Sequence, residues 1–387
     1  MKKIYINIVA LTPFLLYLTY LFNAIGGSSY GPIIYLVILL IGIVSLLYII
    51  SFRRYFRLPA ISTFLIFFIL LSLTFMLSKH EINGWKYEAI GTVYPYKEFM
   101  KYATFICSFF IGFNLGLSKY INHKYWVIIG VTFWLVSILC YYIYSNILSI
   151  KFSSDYQNNT AYLLVSTLPF IPLYFKYIKN KIFPITILLI TSGLIISSSK
   201  RGAIVCLLIS LIISAIIYIR SNKLNYKKCL ILIISICGLI AFIYYYISTN
   251  EYLLTRLSRM EEGEVGARSI AYPTLFNHWY HSSFKEFFGG DGLCNSVAVW
   301  GNFAHNDWLE LLLSNGLVGV IIYAGLFISI FISIKGITTD QYVKLSLILC
   351  IAIWLIKSIF SMGYSDTNNC MLVLLLGALI SKSTYKS

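Results

Sequence analysis

About twelve apolar runs, each close to the length of a membrane-crossing helix, follow one another along this chain with mostly short polar breaks. An α-helix rises about 1.5 Å per residue, so roughly twenty apolar residues cross the ~30 Å hydrocarbon core with every backbone donor and acceptor satisfied internally. Runs near 4–23, 32–51, 59–77, 99–117, 125–146, 161–176, 182–199, 202–219, 229–247, 317–334, 343–362 and 370–381 predict an all-α, polytopic integral membrane protein. Residues 1–387 read as a single transmembrane domain, because 59% hydrophobic against 11% charged residues leaves little material for a soluble one. No fixed-period repeat and no Gly/Ser-rich or Pro-rich linker marks off a second unit.

Charge sets the expected orientation. With Lys2 and Lys3 in the cytoplasm, the inner segments carry Arg53, Arg54, Arg57, Lys119, Lys124, Lys176, Lys179 and Lys181. They continue with Arg220, Lys223, Lys227, Lys228, Lys335, Lys344, Lys382 and Lys386, so they hold most of the 30 basic residues. Of the 14 acidic residues, Asp340 alone falls inside. This positive-inside bias predicts both termini in the cytoplasm and His305 on the outer side. The net charge of +16 therefore reads as orientation, and no nucleic-acid partner is expected. Lys2 and Lys3 precede an apolar run as in a signal peptide, but the run is long and no clear small-residue cleavage site follows, so a retained span is expected. Cys294 alone lies clearly in an outer loop, so no disulfide is expected.

The break at about 248–306 exceeds the length of an ordinary connection several-fold. Trp279, Tyr280, Phe284, Phe287, Phe288 and Trp300 make it too aromatic for a disordered tail, so it reads as one large extracytoplasmic loop folded against the membrane surface. A shorter outer loop, 78–98, carries His80, Trp85, Tyr94 and Tyr96 and could pack beside it.

Three polar groups stand out against this background. Ser197-Ser198-Ser199-Lys200-Arg201-Gly202 places two adjacent cations between apolar runs on the side where the positive-inside rule disfavours them. Either this is a snorkelling turn, or it is an anion site in which the planar Arg201 fork matches a phosphate and Lys200 assists. Arg268 follows Glu261, Glu262 and Glu264; it reads as a solvated ion pair or as a second phosphate-binding guanidinium, with Arg256 and Arg259 as competitors. His305 has four rivals, His80, His123, His278 and His281. The His278/His281 spacing suits a metal on a helix, but no further ligands complete a site and none is expected. His305 stands apart because Asn306, Gly316 and Gly319 accompany it. A helix from about 306 would carry Leu309, Leu312, Leu313 and Leu317 as one stripe and seat the imidazole at its N-terminal end. Gly316 and Gly319 would allow close helix contact.

The pattern His-Asn, nine residues, Gly-x-x-Gly from His305 to Gly319 resembles the signature of the O-antigen ligase and O-antigen polymerase superfamily. Ser197 to Gly202 is similar to that family's Ser-x-Ser-(Lys/Arg)-Arg-Gly, and Arg268 to an arginine early in its large periplasmic loop. The likeness runs over roughly residues 150–335, and the first 150 match only as spans. It implies a GT-C-like membrane glycosyltransferase of the inner membrane, acting on glycans carried by undecaprenyl diphosphate, independent of metal and without a cofactor. It also implies membrane lipid and a chain-length regulator as partners. In that reading His305 is the catalytic base, Arg201, Arg268 and Lys200 bind the diphosphate, and Asn306, Gly316 and Gly319 support them. The physical needs agree: an isoprenoid tail needs a lipid-facing groove, a diphosphate needs interfacial cations, and an attacking hydroxyl needs a base titrating near neutrality.

Polymerase and ligase differ only in the acceptor, a second lipid-linked repeat unit or the lipid A core. The aromatic loop favours polymerase, since rings stack on sugars. Two other classes stay open. A flippase for the same lipid would show paired halves and mid-membrane charges, of which Lys357 is the clearest, with snorkelling or pairing to a neighbouring span as its bland role. An inactive structural subunit would need a partner-binding cytoplasmic segment longer than these inner loops.

Overall fold

A computed structural model describes residues 2–25, 31–52, 55, 58–78, 85–87, 91–119, 121–145, 155–198, 200–221, 267–335, 340–364 and 366–384, with scattered positions between 238 and 249. Most of the expected span 229–247 lies outside the described residues, as do His80, Arg53, Arg54, Arg57, Lys223, Lys227, Lys228, Arg256, Arg259, Glu261, Glu262 and Glu264.

The described chain is almost wholly helical, and seven of its helices are long and apolar enough to cross a membrane. Helices α1 (Lys2–Ala10) and α2 (Thr12–Ala24) join at Leu11 into one span, followed by α3 (Gly31–Ser51) and α4 (Pro59–Leu77). A two-stranded antiparallel hairpin, β1 (Trp85–Tyr87) and β2 (Gly91–Val93), then leads into α5 (Pro95–Leu117) and α6 (His123–Ile143). Pro13, Pro59 and Pro95 sit in the first turns of their helices, where the missing N–H costs nothing and the fixed φ suits helix entry.

The run expected as a span at 161–176 is broken into α7 (Asp155–Val165), a 3-10 turn at Leu168–Phe170 and α8 (Ile171–Tyr177). Pro169 and Pro172 explain the break, since each removes an amide from the ladder and crowds the preceding turn. Two apolar helices come next, α9 (Ile182–Ser197) and α10 (Arg201–Ser221). The second half of the expected large loop folds as three short helices, α11 (Ala267–Tyr280), α12 (Phe284–Gly289) and α13 (Asn295–Trp300). Ser283 and Glu286 form a reciprocal capping box that starts α12. The chain continues with α14 (Asp307–Lys335), α15 (Gln341–Phe360) and α16 (Cys370–Thr384).

Helices α5 and α16 pack along one another at the centre of the bundle, with α3 and α4 also against α5. Gly112 and Gly116 form a G-x-x-x-G pair, and a Cβ on either would run into the α16 backbone at Leu374 or Ala378. Lipid tails are as apolar as leucine, so this close approach, rather than exclusion of water, holds the helices together. Phe64 stacks on Phe109 at 3.8 Å and Trp354 packs edge-on to Phe105 at 5.1 Å. Exposed apolar residues recur at helical spacing on the outward faces, such as Leu36, Leu40 and Leu47 on α3 or Ile321, Ile328 and Ile332 on α14, as lipid contact requires.

Helix α14 is kinked. Gly316 adopts φ 60° and ψ −160° inside it, which interrupts the ladder and frees upstream carbonyls. Two of these are taken up by the loop: Asp291 N–H donates to Leu313 O (3.0 Å) and Gly292 N–H to Ser314 O (3.2 Å). A Cβ at Gly316 would also strike the Phe288–Gly289 backbone. The close contact expected of this glycine is therefore with the extramembrane loop, and the kink seats that loop on the bundle. Gly316→Ala is expected to lower stability by about 1–3 kcal/mol, because left-handed backbone and a backbone clash act together. Gly325, in the same helix with open space around it, is the comparator, and its alanine variant should be neutral. Equal unfolding temperatures for the two variants in detergent would contradict the assignment.

Candidate functional site

Helix α14 begins at a tightly held corner. Asn306 caps it, its Oδ1 accepting from Trp308 N (3.0 Å) and Leu309 N (3.2 Å). Asp307 is fully buried, and its carboxylate accepts from Tyr323 Oη (2.6 Å), Gly363 N (2.7 Å) and Tyr364 N (3.1 Å). One turn later Glu310 accepts from Ser296 Oγ and Ala304 N, tying α13 and the segment before His305 to the same helix. A small core of Leu275, Trp279, Ala304, Leu309 and Leu313 seals α11 onto α14.

His305 sits at that corner with φ 53°, a left-handed backbone that a non-glycine residue adopts only when its surroundings impose it. Its imidazole makes no hydrogen bond among the described residues. Burial pushes its pKa down from 6.5 to about 4, and the nearby charges of Arg268 and Lys200 push the same way. At neutral pH the ring is uncharged with a free lone pair, but it is a weaker base than the one titrating near neutrality that the sequence reading calls for, because burial and the two cations disfavour its protonated form.

The C-terminal end of α15 brings the cationic side to this corner. Its last carbonyls lack partners within the helix, and two consecutive ones are taken up from outside. Asn306 Nδ2 donates to Ile359 O (3.2 Å), and Arg268 Nη1, from the first turn of α11, donates to Phe360 O (3.0 Å). Trp308 Nε1 adds a bond to Ser358 Oγ (3.2 Å). The remaining guanidinium donors of Arg268 stay exposed beside the imidazole. Lys200 enters from the turn between α9 and α10. Arg201, next along the chain, is exposed on the first turn of α10.

Gly202 packs against Tyr162 of α7, and any Cβ there would strike the phenol oxygen. The Tyr162 ring lies under two ammonium groups, Lys357 Nζ at 4.7 Å and Lys200 Nζ at 5.7 Å from its centroid. Lys357 is fully buried near the end of α15, paired with Asp366 Oδ2 (3.1 Å) and donating to Asn369 Oδ1 (2.6 Å). This pair holds the 361–369 connection, whose amides at Gly363 and Tyr364 anchor Asp307. Sequence reasoning noticed Lys357 as a charge in a late span, but missed Asp307, Glu310, Asp366 and Tyr162. The acids carried one usable signal: in a chain with only 14 of them, Asp307 and Glu310 fall within five residues of the expected base.

Gly316 and Gly319 shape the corner from behind: Gly316 supplies the kink, and a Cβ on Gly319 would press on Asn315, whose amide bonds Thr74 of α4. His278 is exposed on α11 and His281 just past its end, the latter bonded to Asn277 O at 3.0 Å. Among the described residues no group of three metal-ligating side chains forms. Cys294 is buried with a free thiol.

A bundle of apolar helices that gathers a neutral imidazole, a partly free guanidinium and a lysine at one end defines a multi-pass membrane protein with a site suited to proton transfer beside an anion. Residues 186–324 match the family model described as O-antigen ligase, a stretch that includes the Lys200 turn, Arg268, His305, Gly316 and Gly319. No curated protein matches the chain.

Proposed function

We propose that the chain is a membrane glycosyltransferase that polymerises undecaprenyl-diphosphate-linked oligosaccharide repeat units of an O-antigen or capsular polysaccharide. It would act on the outer face of the bacterial cytoplasmic membrane, with both termini inside and the 248–306 segment outside. The observation that carries this reading is the uncharged His305 ring beside Arg268 and Lys200 at one rim of an apolar bundle. A sugar hydroxyl attacks the anomeric carbon of the donor while the imidazole takes its proton. The bond from that carbon to the diphosphate oxygen breaks, the lipid diphosphate departs with the electron pair from the opposite face, and the configuration inverts. Arg268 and Lys200, with Arg201 at the edge, offset the charge growing on the leaving group, an effect of about 3–4 kcal/mol in comparable electrostatic sites. A diphosphate leaves readily, so the reading invokes neither metal nor cofactor. A chain-length regulator is the protein partner proposed.

The description of the matched family favours a second reading, a ligase that transfers the finished glycan to the lipid A core. Purified protein given a synthetic lipid-diphosphate repeat unit separates the two. A ladder of elongated products supports polymerisation, whereas transfer that occurs only with lipid A core supports ligation. No transfer with either acceptor would sink both.

A further inference from the structure

The Tyr162 hydroxyl is a polar group the proposed chemistry has not yet used. Tyr162 is 2% exposed, and its hydroxyl has no hydrogen-bond partner among the described residues, although the Ser361 side chain stands beside it outside bonding geometry. A buried hydroxyl left without an acceptor costs roughly 1–3 kcal/mol, so a persistent one calls for a reason. Its surroundings are cationic: Lys357 and Lys200 lie against the ring, and the Arg268 charge reaches the hydroxyl. Lys357 is already matched by Asp366 and Asn369, so it fixes the ring rather than waiting for a ligand. Gly202 keeps the hydroxyl's space open, since any larger residue there would fill it. A donor without an acceptor, held among cations at the rim that carries His305, is matched by one kind of ligand, an anionic oxygen.

We infer that Tyr162 is a substrate-binding residue whose hydroxyl donates to a non-bridging oxygen of the lipid diphosphate held by Arg268 and Lys200. This rests on the glycosyltransferase reading and adds a neutral donor to its cations. It also gives Gly202 of the serine-arginine hexad a task, keeping clear the place of the hydroxyl.

Tyr162→Phe tests this, because it removes one oxygen and keeps the ring on which both lysines rest. Binding of undecaprenyl diphosphate to the purified full-length protein is expected to weaken about 10- to 100-fold, the loss expected for one hydrogen bond to a charged group. The unfolding temperature should hold or rise, since the variant loses an unsatisfied polar atom and no bond. A structural hydroxyl would behave oppositely, so a lowered unfolding temperature, or a variant that fails to fold, overturns the assignment. Wild-type protein that binds the lipid diphosphate while Tyr162→Phe binds it equally well overturns the Tyr162 role alone. Wild-type protein that does not bind it overturns the glycosyltransferase reading and this inference with it.

Discussion

Replacing His305 with alanine is expected to lower turnover about 10²- to 10⁴-fold, the range for loss of a positioned general base, while leaving donor affinity within a few-fold. In the proposed mechanism phosphate binding falls to Arg268, Lys200 and Tyr162; Arg268 is anchored on Phe360 O and the Tyr162 ring on Lys357, neither through the imidazole. The pH profile gives a sharper signature. The free-enzyme profile, kcat/KM, should hold its acid limb down to about pH 4, well below the 6.5 of an unperturbed imidazole. Once the diphosphate is bound, its negative charge opposes Arg268 and Lys200, so the ring is more easily protonated and the acid limb of kcat should move to higher pH. Linkage adds a stability test. The unfolded imidazole binds a proton as pH falls through 6.5, whereas the folded one resists until about 4, so its contribution to stability is complete above 6.5 and is lost between these values. His305→Ala should remove that part of the acid dependence. Coincident acid limbs near 6.5 for kcat and kcat/KM would refute the buried, cation-flanked base. A flippase would behave differently again, moving lipid normally without the imidazole.

How much of this was legible beforehand differs between elements for physical reasons. The spans that formed as expected, such as α3, α4 and α6, are apolar on all sides, so periodicity hardly mattered and length decided. The run at 161–176 has the same apolarity, yet Pro169 and Pro172 divide it, and hydropathy does not register a missing N–H. Helices α9 and α16, with 16 and 15 residues, are apolar but short, so seven long spans were recognisable among the described residues where twelve were expected. His305 and Arg268 could be singled out because so apolar a chain has few polar places, and the fold brings the Arg268 charge near the imidazole. Arg201 and Lys200 were not separable, since they are adjacent cations and spacing does not say which lies nearer the imidazole. Tyr162 carried no signal as one of 32 tyrosines, and only the fold shows that its hydroxyl lacks an acceptor. The Gly316 role was half legible: the need for a glycine was visible, whereas the left-handed backbone that imposes it depends on loop amides from Asp291 and Gly292.

Arg268→Ala should lower turnover by about 10²- to 10³-fold, comparable to removing one donor from an oxyanion site, and should weaken donor binding as well. Its guanidinium is anchored through a single nitrogen to Phe360 O, at an otherwise unmatched helix terminus, which fixes the plane of the fork while leaving its other N–H groups for phosphate. Lysine at this position keeps the charge but offers no fork, so Arg268→Lys should recover only part of the loss. Loss of the charge also removes one of the causes holding the His305 pKa down, so the acid limb of kcat/KM should rise above about 4. It should stop short of 6.5, because burial is the larger cause and survives the substitution. A purely structural arginine would give another pattern: a lower unfolding temperature, equal loss in the lysine variant and unchanged donor binding. Asn306 still ties α14 to Ile359 O without Arg268, so the corner should remain folded and the loss should appear in turnover and donor binding.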